Sequence, residues 1–379
     1  MNEIYCDNAA TTPVLEEVFE AMTPYLRGAF GNASSLHFFG REAKFALDRA
    51  REIVAGAIHA RPDEIIFTGG GSEANNLALV GTAQRFANGG LAVSAVEHPS
   101  VLNTATRLEK TDRSVLKIPV DQDGVVSLEA FSETISSNIA LASVMSVNNE
   151  TGVIQPLQEL SEMAAEKRVF FHTDAVQALG KLPIDVRKFP ASMMSFSAHK
   201  LHGPKGVGAL FLRRGVKLSP LITGGAQENG RRAGTENVAG IVGFAKAVEI
   251  ALREMQNDEK VVARISEFQR FMVAEMPVAK LNGGDAKKSP YICNYSFPGL
   301  ESEALVMKLD LHDVAVSNGS ACSSGKVEIS HVLQAMNLPK PRQNSAVRFS
   351  FSRLTTEDDI ERLKSVLLKV ITPKLKRAR

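Results

Sequence analysis

Apolar residues recur at helical spacing over 14–26, where Leu15, Val18, Phe19 and Met22 share a face, and over 41–59, where Ala43, Leu47, Ala50, Val54 and Ala57 do. Both stretches predict amphipathic helices. Short apolar runs follow at 64–68 (EIIFT), 91–96 (LAVSAV), 139–147 (IALASVMSV), 168–173 (RVFFHT), 193–197 (MMSFS) and 208–212 (GALFL), mostly separated by helix-length segments. This rhythm predicts a largely parallel sheet covered by helices. From about 250 the pattern changes to a long charged helix near 250–275, strands at 291–297 and 347–352, and a final helix over 356–370. That helix carries Ile360, Leu363, Leu367 and Val370 on one face and starts at a Thr-x-x-Asp cap, Thr355 and Asp358. The reading is α/β, with a large domain over 16–255 and a smaller α+β domain built from 1–15 and 256–379.

In open α/β sheets, ligands sit just beyond the carboxyl ends of the parallel strands. The residues following the five runs from 64 to 197 therefore converge on one rim: Gly71 and Ser72, His98, Asn149, Asp174 and Gln177, and Ser197, His199 and Lys200. The segment TGGGSEANN (68–76) joins glycines to a helix start, which suits an anion; it equally reads as a capped turn. It lacks the P-loop lysine and the dinucleotide glycine spacing, so ATP and NAD are disfavoured. Asp174, at the end of an apolar strand, either caps a helix or pairs with a cationic ring nitrogen. Lys200 in SFSAHK is a candidate Schiff-base lysine, with Lys205 as its competitor. His199 and His202 have an i,i+3 spacing but no evident third metal ligand. An anion cup, a flat residue to stack (His98), an acid for a ring nitrogen and a lysine for an aldehyde together fit pyridoxal 5'-phosphate.

Composition narrows the class further. The 379 residues are 44% hydrophobic and 23% charged with a formal net charge of +2, which favours a small-molecule enzyme over a nucleic-acid or membrane binder. No run approaches the roughly 18 apolar residues of a membrane span, and the start MNEIYCDNAATT lacks a leader pattern, so a cytoplasmic location is expected. Cys6, Cys293 and Cys322 are widely spaced without a CxxC, which predicts free thiols rather than a zinc site or a disulfide framework. Cys322 stands in VSNGSACSSG, where glycine, serine and alanine offer no anchor, so a mobile loop is expected there.

Motifs in order along nearly the whole chain resemble the NifS/IscS-type cysteine desulfurases, class V of the fold-type I pyridoxal-phosphate transferases: YCDNAATTP, GNASSLH, FTGGGSEANN, VEHPSVLN, NNETGVIQP, FHTDAVQALGK, SAHKLHGPKG, GTENVAGIVG, SNGSACSS and VRFSFSR. The resemblance implies that Lys200 binds the cofactor covalently, Asp174 holds its ring nitrogen, and His98 stacks on the ring. Gly71, Ser72, Ser197 and His199 would hold the phosphate, and Asn149 and Gln177 the ring oxygen. Thr235 would reach the phosphate of the other subunit in a homodimer. Arg348, with Asn32 at the same end, would bind the carboxylate of L-cysteine, and Cys322 would carry the persulfide to a sulfur-acceptor protein such as an iron–sulfur scaffold. Ala33, Ser72 and Ala226 depart from the family's usual proline, threonine and glycine, which touches only local loop geometry. Selenocysteine lyase, another class V pyridoxal-phosphate enzyme and a silent scaffold are the alternatives.

Overall fold

A computed structural model describes residues 3–136, 138–319 and 329–375, the last four by backbone alone. Cys322 lies outside the described residues. In chain order the strands are β1 (Ile4–Tyr5), β2 (Ile65–Thr68), β3 (Gly90–Ser94), β4 (Val115–Ile118), β5 (Ile139–Ser143), β6 (Phe170–Asp174), β7 (Met193–Ser197), β8 (Gly208–Leu212), β9 (Lys280–Leu281), β10 (Ile292–Ser296), β11 (Val314–Ala315) and β12 (Ala346–Ser350). β2 to β8 form one seven-stranded sheet in the order β2-β8-β7-β6-β5-β3-β4. The chain is thus α/β around a mostly parallel sheet. Only β8 breaks the pattern, running antiparallel to β2 and β7. The carboxyl ends of β2, β3, β5, β6 and β7 consequently share one edge.

Alternation along these strands feeds two apolar layers, because successive side chains point to opposite faces of a sheet. Ile65, Phe67, Ala142, Met194, Ala209 and Phe211 enter the larger layer, whereas Ile66, Leu141, Met193 and Leu210 enter the other. The first is covered in part by α1 (Glu16–Arg27) and α2 (Phe38–Ala57), through Val18, Leu47, Ala50 and Val54. The second is covered by α3 (Gly71–Arg85) and α4 (Pro99–Glu109), through Ala74, Leu77, Ala78, Val101 and Ala105.

A third cluster gathers β1, β10, β12 and the helices at Glu259–Glu275 and Glu357–Leu375. Its centre is Phe268, with ring centroids 5.3 Å from Phe351 and 5.4 Å from Phe349. β1 joins this cluster by pairing in parallel with β11, across some 310 residues of sequence.

Two local expectations shift. The charged segment near 250–275 is two helices, Val238–Met255 and Glu259–Glu275, separated at 256–258; Asp258 there accepts a hydrogen bond from the Tyr291 hydroxyl at 2.9 Å. The cap of the final helix is one residue later than predicted: the Thr356 amide donates to Asp359 Oδ2 and the Asp359 amide to Thr356 Oγ1. Thr355 instead accepts from the Ser352 amide, closing the turn before the helix. No helix among the described residues is long and apolar enough to cross a membrane.

Candidate active site

The shared edge of the five strands opens into a cavity of about 680 Å³. Gly71, Ser72, His98, Asn149, Asp174, Gln177, Ser197, His199, Lys200 and Arg348 all line it. Asn32 and Thr235 do not; both are exposed, and the Asn32 side chain accepts from the Ser34 amide. Among the described residues, no cluster of three or more His, Cys, Asp or Glu side chains is arranged to hold a metal ion.

At the end of β2 the chain turns through Gly70, whose φ of +147° a side chain would resist, and α3 begins at Gly71. A Cβ on Gly71 would lie 2.7 Å from Val176 Cγ2, so glycine is what lets this helix start approach the 174–177 turn. The unpaired amides and positive dipole end of α3, with the Ser72 and Ser197 hydroxyls nearby, form a cup suited to an anion.

Asp174 closes β6 rather than following it, and no helix starts there, so it is not a helix cap. Its Oδ1 accepts from the Val176 amide at 3.0 Å and its Oδ2 from Asn75 Nδ2 at 2.7 Å. Asn75 also donates to Ser100 Oγ at 2.8 Å, while its own Oδ1 is buried without a partner. The Ser100 amide donates to His98 Nδ1 at 3.1 Å, making His98 the N-cap of α4. That bond places the proton of the neutral imidazole on Nε2. Burial lowers the His98 pKa, Lys200 and His331 add to the effect, and Asp174 opposes it.

Lys200 ends a single helical turn after β7. Its Nζ donates to the carbonyls of Ala9 and Ala10, each at 2.6 Å. Burial and then the Arg348 charge lower its pKa to about 8, against the pull of Asp174 and Asp7. Burial, followed by Lys200, Lys205 and Lys181, pushes His199 down to about 4, so it is neutral at pH 7 and pairs with Thr11 Oγ1 at 3.1 Å.

Arg348, only 4% exposed on β12, donates to Asp7 Oδ1 at 2.7 Å and to the Asn149 carbonyl at 2.8 Å. Its Nε is buried without a partner. Gln177 Nε2 donates to the Ala9 carbonyl at 2.9 Å, and its Oε1 accepts from Lys181 Nζ at 3.0 Å.

Several of these contacts were not deduced from sequence. Asn75 and Ser100 sit inside motifs, but nothing local reveals that one amide bridges an acid and a histidine-cap serine. Asp7, Ala9 and Ala10 come from YCDNAATTP, whose approach to residues 199–202 and 348–350 is a tertiary fact. Cys6 and Cys293 are buried free thiols, pushed upward in pKa by burial.

A carboxylate, a desolvated lysine and an anion cup beyond the ends of parallel strands define a class of enzyme, and the chain belongs to it: it is a member of the class-V aminotransferase family, matched over residues 4–363. Within that family it is 45% identical, over 97% of its length and 94% of the other chain, to a Dictyoglomus turgidum protein called cysteine desulfurase IscS. A solved structure described as a NifS-like protein matches with a TM-score of 0.91 at 34% identity, over 98% of this chain and 99% of that one. Another, described as SspA in complex with cysteine, matches with a TM-score of 0.82 at 36% identity, over 92% and 98%.

Proposed function

We propose that this chain is a cysteine desulfurase that holds pyridoxal 5'-phosphate in the 680 Å³ cavity and moves the sulfur of L-cysteine onto Cys322. The carrying observation is that Lys200, Asp174, His98, the α3 start and Arg348, drawn from five separate parts of the chain, face one space. The residues fit the cofactor. A carboxylate fixed through both oxygens suits a protonated ring nitrogen, the Gly71 cradle suits a phosphate, and Lys200 suits an aldehyde. When bound, pyridoxal phosphate supplies an electron sink for the substrate's Cα.

The rest is work for the chain's own groups. Burial and the Arg348 charge, which lower the Lys200 pKa to about 8, favour the free amine that accepts the Cα proton. Arg348 presents a buried guanidinium to the substrate carboxylate, with Asp7 as its partner until then. Neutral His98, with its proton on Nε2, stacks on the ring and relays protons. Gln177 and Asn149 serve the ring oxygen. The Cys322 thiolate attacks the substrate sulfur, an S–S bond forms and the Cβ–S bond breaks with its electron pair left on Cβ; protonation at Cβ and return of a proton from Lys200 to Cα yield L-alanine.

Gly319 lines the cavity, and Cys322 is three residues on, a reach of at most about 11 Å of extended chain. In this reading residues 16–255 bind the cofactor, while 1–15 and 256–379 bring Arg348 and the thiol. A homodimer completes the site. Phe30, Leu36, Phe38 and Phe45, each more than 60% exposed in the single chain, give a partner copy an apolar surface near Asn32, and Thr235 reaches the partner's phosphate. The persulfide then passes to a sulfur-acceptor protein such as an iron–sulfur scaffold in the cytoplasm.

The test is direct. Purified protein with pyridoxal phosphate and L-cysteine should release alanine, and sulfide when a thiol reductant is added, with a persulfide mapped to Cys322. Cys322→Ala should stop sulfide release and keep the visible cofactor band; Lys200→Ala should lose that band and Lys205→Ala keep it. Persulfide absent from Cys322 during turnover would refute the reading.

A further inference from the structure

Behind the proposed cofactor pocket lies a second cavity of about 450 Å³, and Lys200 borders both. Lys181 lines the rear one, together with His202, Glu254, Asp258, Tyr291 and Arg353. The two acids are already engaged: Glu254 by Arg353 Nη1 at 2.9 Å and Asp258 by the Tyr291 hydroxyl at 2.9 Å. Lys181 forms no ion pair among the described residues; its ammonium donates to Oε1 of Gln177 at 3.0 Å. Burial, and then the charges of Lys200, Arg353 and Arg348, lower its pKa to about 7. With the charged form disfavoured by burial and by three neighbouring cations, the Gln177 oxygen is the group that supports it.

Lys181 Nζ donates to the Gln177 carbonyl oxygen, and in its ammonium form it has no lone pair with which to take a proton from the amide nitrogen instead. The amide nitrogen is thereby turned to the other side, where it meets the Ala9 carbonyl at 2.9 Å, the same carbonyl that takes a proton from Lys200 at 2.6 Å. One N–H of that NH₂ group is spent on Ala9, and the second is left for the cavity that Gln177 lines.

We propose that Lys181 is a positioning residue: by holding Oε1 of Gln177 from the rear cavity, it fixes the side-chain amide with its N–H edge toward the pocket, where it donates to the anionic ring oxygen of the bound cofactor. The inference rests on the pyridoxal-phosphate reading. Without the lysine only the Ala9 contact orients the amide, and the side chain is free to rotate toward the rear cavity.

The readout is the pH midpoint of the visible band of the bound cofactor, which reports the proton shared between the Lys200 nitrogen and the ring oxygen. Removing a nearby cation and a donor to that oxygen both favour retention of the proton. Lys181→Met should therefore raise the midpoint by about 1 unit or more, whereas Lys181→Arg, which keeps charge and donors, should leave it within about 0.3 unit of wild type. In a Gln177→Leu background the Lys181→Met shift should fall to less than about half, because the amide it acts through is gone. An unmoved midpoint in Lys181→Met, or an equal shift with and without Gln177, overturns the proposal while the parent reading stands. A wild-type protein with no Lys200-dependent band overturns the parent reading and this one together.

Discussion

Glu228→Gln tests how the sheet edge beneath the anion cup is held. β2 is an edge strand of the seven-stranded sheet, so one side of it presents unpaired backbone groups. Two side chains cover that side. Arg51 Nη1 donates to the Ile65 carbonyl at 2.7 Å, and Glu228 Oε2 accepts from the Phe67 amide at 3.0 Å. The two side chains also pair bidentately, at 2.7 Å for each bond, with the guanidinium 4.7 Å from the Phe67 ring centroid. The Glu228 side chain is 3% exposed and that of Arg51 15%.

Gln cannot neutralise Arg51, and its NH₂ group opposes either a guanidinium or an amide donor. Breaking one partner of such a buried pair costs about 3–5 kcal/mol. At about 2.1 cal/mol/K of unfolding entropy per residue, the 379-residue chain has an entropy near 0.8 kcal/mol/K, so the loss equals roughly 4–6 °C in Tm if it unfolds as one unit. Scanning calorimetry at fixed protein and cofactor concentration measures it. Replacing both residues, Arg51→Met with Glu228→Met, removes the unpaired charge but strands the Ile65 carbonyl as well as the Phe67 amide, at about 1–3 kcal/mol each, so the double variant's loss should fall short of the sum of the two single-variant losses. A Glu228→Gln protein that melts within about 1 °C of wild type would refute this account.

Asn75→Leu removes the donor to Asp174 Oδ2 while leaving the Val176 amide on Oδ1. Cofactor affinity, measured by equilibrium dialysis, should fall by about 10- to 150-fold, as expected for a lost hydrogen bond to a charged group of about 1.5–3 kcal/mol. Lys200 in the cofactor-free protein gives a pH signature. Its folded pKa of about 8 lies below the ordinary lysine value near 10.4, so between these values the unfolded chain binds the extra proton and the folded state gains stability as pH rises. Below pH 8 both states are protonated and the burial cost is borne in full. Urea titrations should show the stability of Lys200→Met minus that of wild type decreasing by about 2.5 kcal/mol from pH 8 to 10.5; a difference independent of pH would contradict the depressed value.

Most of the site was legible because of one regularity. In parallel strands, residues just past the carboxyl ends share an edge, so His98, Asn149, Asp174 and Lys200 could be brought together from apolar runs alone. The antiparallel course of β8 was not legible, since GALFL reads the same in either direction. The break at 256–258 was hidden because both flanking helices keep helical spacing through Leu252 and Val261, and the Tyr291–Asp258 bond there comes from a distant strand. The Thr356 cap was missed by one residue because Thr355 and Thr356 are interchangeable in a Thr-x-x-Asp pattern when Asp358 and Asp359 follow. Lys181 and Asn75 escaped for a different reason: each acts on a neighbour in space, Gln177 or Asp174, and no local pattern encodes an amide's orientation.

The stitching of the N-terminal residues to β12 has a consequence for how the protein is made. Asp7 meets Arg348 and Ala9 meets Ser350, both across 341 residues of sequence. On a ribosome adding about 5–20 residues per second, the first residues wait roughly 17–70 s for their partners to be synthesised. Until then Lys200 and Asp174 can be in place on the parallel sheet, but the Arg348 side of the cavity is still missing. On the proposed reading, a nascent chain could therefore hold cofactor before the Arg348 end of the pocket exists, and a chain cut before the last strand should bind pyridoxal phosphate, seen as a visible band, without turning over L-cysteine.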